Sequence, residues 1–190
     1  MARVRKPKPA FENLLFVTPE QRVLRLMLAE PTTTINLRSL SSKLKGVRGL
    51  GGAEGIQKVL VDLESVGLVN FVDNRRAVRL NDDHEMAQLL KRVAAVCDLE
   101  SLREILEPLS SKGILFGSRS TGRARSDSDY DIYIVSNSPD EVRRLAEGHP
   151  LGKALELVIW STEDDSKLAQ KDPGLERKLE LGICLWGPTR

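Results

Sequence analysis

Asp129 and Asp131 stand one residue apart at the entrance to an apolar run, residues 132–135. In an extended strand, residues i and i+2 share a face, so these two carboxylates project side by side. Like charges so placed repel one another unless a cation sits between them. Hard oxygen ligands of this kind suit Mg²⁺, which takes one or two carboxylates and leaves its other positions to water and phosphate. Upstream, Ile114-Leu115-Phe116 has the length of a buried strand and runs into Gly117-Ser118. There the chain must turn tightly with little side chain in the way. Backbone N–H groups and the Ser118 hydroxyl can meet an anion at such a bend. Amides on phosphates and carboxylates on a metal together describe a metal–triphosphate site. Asp127 suits a loop position better than a ligand position. Arg119, Arg123 and Arg125 have two readings, phosphate contacts or solvated loop charges.

Leu115-Phe116-Gly117-Ser118 followed by Ser128-Asp129-Tyr130-Asp131-Ile132 resembles the signature of the minimal nucleotidyltransferases of the DNA polymerase β superfamily. That signature is an apolar strand, Gly-Ser, a loop of about ten residues, then Ser-Asp-x-Asp-apolar. A lone Asp-x-Asp is weak evidence; at this distance from strand-Gly-Ser it is specific. The resemblance covers about residues 100–187. It implies Asp129 and Asp131 as catalytic metal ligands, and Gly117, Ser118, Arg119 and Ser128 as nucleotide contacts. It also implies a third carboxylate on a later strand. Glu156 is the one acid inside a later apolar run, residues 154–160, and takes that place where family members more often carry Asp.

Two Mg²⁺ ions and ATP or another NTP as substrate are implied with it. So is transfer of a nucleoside monophosphate, AMP from ATP foremost, with pyrophosphate leaving. Relatives of this size include antitoxins that AMPylate a HEPN-type helical ribonuclease toxin, and enzymes that modify tRNA ends. A protein or an RNA acceptor is expected accordingly. The competing class is a non-catalytic DNA-binding regulator whose nucleotidyltransferase-like domain only senses nucleotide.

Several elements must position these residues. Thr18-Pro19-Glu20-Gln21 is a capping box with proline at the first helical position, and Val23, Leu24, Met27 and Leu28 follow at helical spacing. Pro31 stops that helix. A short β-prone piece, a second helix around Leu37, Leu40 and Leu44, and a third over residues 53–66 come next, with Gly67 as the cap of the third. Residues 68–72 and 77–80 around Asp73-Asn74 predict a hairpin. Helix, strand, helix, helix, hairpin is the order of a winged helix-turn-helix. The fold expected is therefore α+β: a basic arm over 1–10, a winged helix-turn-helix over 11–85, a linker helix over 86–99, and a small mixed-sheet, polymerase β-like nucleotidyltransferase domain over 100–190. Arg144 and His149 have the spacing of a ribonuclease motif, but they sit at a helix end beside Pro150, and a core or surface histidine is the reading preferred.

Charge is uneven along the chain. Residues 1–85 hold 14 Lys+Arg against 10 Asp+Glu, and residues 86–190 hold 15 against 17. DNA contacts are expected at Lys43, Lys45, Arg48, Gln57, Lys58, Arg75 and Arg76, where a winged helix meets phosphates and base edges. The same module could instead dock a protein or a second copy of the chain. No apolar run has the length of a membrane span, and no secretion signal is evident. Cys97 and Cys184 lack metal-ligand spacing, so a cytoplasmic protein with reduced thiols and no membrane partner is expected.

Overall fold

A computed structural model describes residues 10–188. The basic arm expected over residues 1–10 falls almost wholly outside them.

The N-terminal half begins with a single helical turn, α1 (Glu12–Leu15), and then α2 (Pro19–Ala29). The capping box of α2 is fully made. The Thr18 hydroxyl accepts from the Gln21 N–H at 3.3 Å, and the Gln21 side chain accepts from the Thr18 N–H at 3.0 Å. A two-residue strand β1 (Ile35–Asn36) leads into α3 (Leu37–Lys43), whose first turn is capped by Asn36. The glycine-rich turn gives way to α4 (Gly52–Ser65). Gly67 ends α4 at φ +76°, and the Leu68 N–H turns back to the Leu63 carbonyl, a glycine-dependent stop. Strands β2 (Val69–Val72) and β3 (Ala77–Leu80) form the hairpin, turning through Asp73, Asn74 and Arg75 at positive φ. β3 is central in a three-stranded antiparallel sheet, order β1-β3-β2. Val23 and Met27 of α2, Leu40, Leu60, Val69 and Val78 are buried together as the core of this half. Each contributes about 1.5–3 kcal/mol by leaving water.

Helix α5 (Glu85–Asp98) belongs to both halves. Ala87, Ala94 and Cys97 pack into the first core, while Ala95 faces the second. α6 (Glu100–Leu106) and a 3₁₀ turn then lead into a four-stranded mixed sheet of order β6-β5-β4-β7. The strands are β4 (Lys112–Phe116), β5 (Tyr130–Val135), β6 (Leu155–Trp160) and β7 (Ile183–Trp186). β4 is antiparallel to both β5 and β7, whereas β5 and β6 are parallel. The parallel pair requires a crossover, supplied by α8 (Pro139–Glu147).

Alternation along the strands separates two faces. Leu115, Ile132 and Ile134 pack with α6 and α8, through Leu102, Leu106, Val142 and Ala146. Ile114, Phe116, Tyr133 and Val135 pack with the C-terminal helices, through Leu168, Leu175 and Leu179. Those helices are α9 (Thr162–Asp165), α10 (Leu168–Lys171) and α11 (Pro173–Glu180). On this second face the Lys112 ammonium and the Tyr133 hydroxyl both reach the Asp165 carboxylate, at 2.7 and 2.9 Å, so a buried lysine is paired.

Where the sequence suggested only a tight bend at Gly117-Ser118, the chain forms one helical turn, α7 (Gly117–Ser120). The bend is real, with Gly117 at φ +70°, but the residues after it close a turn before the loop sets out.

Candidate active site

The candidate residues collect at one end of the sheet, on the face that carries α11. Asp131 on β5 lies opposite Phe116 on β4 and, in the parallel ladder, opposite Glu156 on β6. Paired residues in register point to the same face, so Asp131 and Glu156 project together. Asp129 is one residue outside the strand, in the last extended stretch of the loop. Asp131 is half-buried, while Asp129 and Glu156 are exposed.

Electrostatics tie the three acids together. Burial raises the Asp131 carboxyl above the usual aspartate range, and the neighbouring charges of Asp129 and then Glu156 raise it further. The cation acting against them is Lys178, on α11. Among the described residues, however, no three acidic, histidine or cysteine side chains converge closely enough to hold a metal between them. Like charges in water stand apart, and two of these three carboxylates are exposed. The donor set still fits a hard divalent cation: three carboxylates that feel one another's charge, offering oxygen ligands.

Gly117 sits directly against Asp131. A Cβ on Gly117 would stand 2.1 Å from Asp131 Oδ2, so the missing side chain is what leaves the carboxylate its place. Beside the pair opens a cavity of about 320 Å³ lined by Phe116, Gly117, Thr121, Asp131, Lys178 and Leu181. Lys178 and Leu181 come from the C-terminal helix and the residue after it. Sequence reading missed both, because helical periodicity in α11 says nothing about which strand end it reaches. Leu175 and Leu179 pack the helix on the sheet, and one turn of helix puts Lys178 beside that seam. The Ser118 hydroxyl has no hydrogen-bond partner among the described residues, and Ser118 is half-buried.

Arg119 and Ser128 serve the loop itself. The Arg119 guanidinium donates to the Ser128 and Asp129 carbonyls, each at 3.1 Å from Nε, and lies 3.7 Å above the Tyr130 ring. The Ser128 hydroxyl accepts from the Arg125 N–H at 2.9 Å. Both therefore fix the segment that presents Asp129. Tyr130, between the two aspartates, points to the opposite face and donates to Asp98 Oδ2 at 2.8 Å. Burial first, then the Asp98 charge, pushes its phenol well above the ordinary tyrosine range. Asp98 in turn pairs with Arg25 of α2, which also holds Glu12 at 3.0 Å. The loop that presents Asp129 is thus joined to the N-terminal half by one continuous polar chain.

The residues expected to meet DNA divide into two groups. Lys45, Arg48, Gln57, Lys58 and Arg76 are exposed. Lys43 is paired with Glu30. Arg75 is paired with Glu64 at 3.0 Å and stacked 3.9 Å over Phe71. His149 is a core histidine. Its Nδ1 accepts from the Leu151 N–H at 3.2 Å, which leaves Nε2 to donate to Ser101 at 2.9 Å. Burial lowers its pKa, as expected for a neutral ring.

This end of the sheet, a glycine bend beside an acid pair in register, lies inside a recognisable domain. Residues 99–179 match the family model for the nucleotidyltransferase domain. This stretch is thus similar to a nucleotidyltransferase domain, which supports a transferase of nucleotidyl groups at a general level. The match contains Gly117, Ser118, Asp129, Asp131, Glu156 and Lys178, and ends before β7. No curated protein matches the chain. No helix among the described residues is long and apolar enough to cross a membrane.

Proposed function

We propose that the protein is an Mg²⁺-dependent nucleotidyltransferase that moves a nucleoside monophosphate, AMP from ATP foremost, onto a hydroxyl of a protein or RNA acceptor. The observation that carries this reading is the in-register pair Asp131–Glu156, with the Asp131 carboxylate seated over Gly117. Asp129, Asp131 and Glu156 would hold the metal, which when bound supplies charge neutralisation at the α-phosphate and the departing pyrophosphate. Lys178 presents a positive charge to the triphosphate from the opposite wall of the cavity. Ser118 and the neighbouring backbone offer hydrogen bonds to the β- and γ-phosphates. The acceptor oxygen forms a bond to the α-phosphorus, the bond to pyrophosphate breaks, and Glu156 is positioned to take the acceptor's proton.

The N-terminal half has the element order of a winged helix-turn-helix, and we propose it as a DNA- or partner-binding module. Its exposed face would use Lys45, Arg48, Gln57, Lys58 and Arg76. A toxin–antitoxin role would give the acceptor as a helical ribonuclease partner; that role follows from fold analogy.

Incubation with Mg²⁺ and α-labelled ATP, CTP, GTP or UTP, with and without cell lysate, tests the proposal. Label transferred by wild type and not by Asp131→Ala supports it. No transfer with any nucleotide, together with tight operator binding, supports the non-catalytic regulator.

A further inference from the structure

A groove of about 480 Å³ separates the solvent face of the β2–β3 hairpin from the loop between α7 and β5. Asn70 and Arg79, directly opposed across the hairpin, line it from one side and Arg123 and Arg125 from the loop; Thr32 lines it as well. All three arginines are exposed, and none makes an ion pair among the described residues. Elsewhere in this half some cations are taken, Lys43 by Glu30 and Arg75 by Glu64, while Lys45, Arg48, Lys58 and Arg76 are exposed; what sets the groove apart is that its three arginines line one cleft. Two carboxylates also line the groove. Asp82 is neutralised by the buried Lys91, so Asp83 alone stands against three guanidinium groups.

Three unpaired positive charges in one cleft focus a field that attracts anions. The nucleotide's own phosphates are served elsewhere. The cavity at Asp131 and Lys178 shares no lining residue with this groove, so Arg123 and Arg125 line a separate opening. The anion meant for the groove is therefore a second ligand. Guanidinium forks match phosphate oxygens in pairs, and Asn70 adds a neutral donor and acceptor beside them. The groove is also fixed relative to the catalytic loop, because the Thr32 and Thr33 hydroxyls each lie 3.1 Å from the Ser126 hydroxyl, one residue beyond Arg125.

We propose that this groove binds the phosphodiester backbone of a polynucleotide, RNA or DNA, on a surface separate from the exposed side of α4. Binding needs no nucleotidyl transfer, so the failure of either reading leaves the other standing.

The test is fluorescence anisotropy of the full chain with 5′-labelled single-stranded RNA, single-stranded DNA and duplex DNA, each read across a salt series. Arg79→Ala and Arg123→Ala/Arg125→Ala are compared with Lys58→Ala/Arg76→Ala on the helix-turn-helix side, all checked for wild-type circular dichroism and thermal midpoint. Each phosphate contact on a single strand contributes about 0.7 to the slope of log K against log salt. The groove variants should weaken binding, with the slope shallower by about 0.7 for Arg79→Ala and by about 1.4 for the double variant. Which polymer binds tightest identifies the source of the backbone. The proposal is overturned if no polymer binds, or if the groove variants bind as wild type does while Lys58→Ala/Arg76→Ala loses binding. It is equally overturned if polyglutamate of matched charge displaces the oligonucleotide as well as unlabelled oligonucleotide does, since the occupant is then an acidic peptide.

Discussion

The Asp131 carboxylate occupies the space that a side chain on Gly117 would fill, with Oδ2 2.1 Å from the position of that missing Cβ. Gly117 also holds φ +70°, which L side chains rarely adopt. Gly117→Ala therefore acts twice. The backbone strain costs about 1 kcal/mol of stability. The methyl group also drives the short Asp131 side chain out of its place. Urea denaturation should show the modest stability loss, and nucleotidyl transfer should fall much further than that loss accounts for.

Asp131 is held at a cost to the fold. Burial, Asp129 and Glu156 all raise its pKa, so the folded chain binds this proton more readily than the unfolded chain does. Below the ordinary aspartate range, about pH 4, the acid is neutral in both states and carries no penalty. As pH rises through the raised pKa, the folded state loses stability. Asp131→Asn removes the charge. Thermal melts should show the variant more stable than wild type at pH 7, with the gap closing as pH falls below about 4. The same variant should be inactive.

Lys178 is the cation that faces Asp131 across the cavity. A charge-assisted contact to phosphate is worth about 1.5–3 kcal/mol, so Lys178→Ala should weaken NTP binding by about tenfold or more. Titration calorimetry with a non-hydrolysable NTP analogue reads this directly. Unchanged affinity would remove Lys178 from the site.

Tyr130, Asp98 and Arg25 join the loop that presents Asp129 to α2. Tyr130→Phe removes one hydrogen bond and should cost about 1 kcal/mol. Arg25→Ala leaves the part-buried Asp98 and Glu12 without their cation and should cost about 1–3 kcal/mol. Both act through Asp98, so a double-mutant cycle in urea should show the two effects to be non-additive. Strict additivity would mean that the chain of contacts does not act as a unit.

Much of this architecture was legible in the residues. The Thr18–Gln21 capping box, Gly67 as a helix stop and the strand runs ending at Phe116 and beginning near Asp131 are local signals, and local chemistry decides them. Glu156 was legible as the one acid in a later apolar run, in the place the resemblance implies for a third carboxylate; its parallel register with Asp131 is a finding of the fold. The contacts of Arg119, Tyr130 and Lys178 were not legible. Arg119 has two readings in the sequence, phosphate contact or solvated loop charge, and neither gives its guanidinium's place on two loop carbonyls and a tyrosine ring. Tyr130 and Asp98 are 32 residues apart, and no spacing rule relates them. Arg79 and Arg125 come together only because the hairpin packs beside the catalytic loop, a tertiary fact that neither segment encodes alone.

The most direct measurement compares wild-type protein supplied with ATP labelled at the α-phosphate and at the γ-phosphate, in Mg²⁺ and cell lysate. The account predicts α-label on a macromolecule, γ-label released as pyrophosphate, and neither outcome with Asp131→Asn. Incorporation of the γ-label, or α-label incorporation that persists in Asp131→Asn, would contradict it.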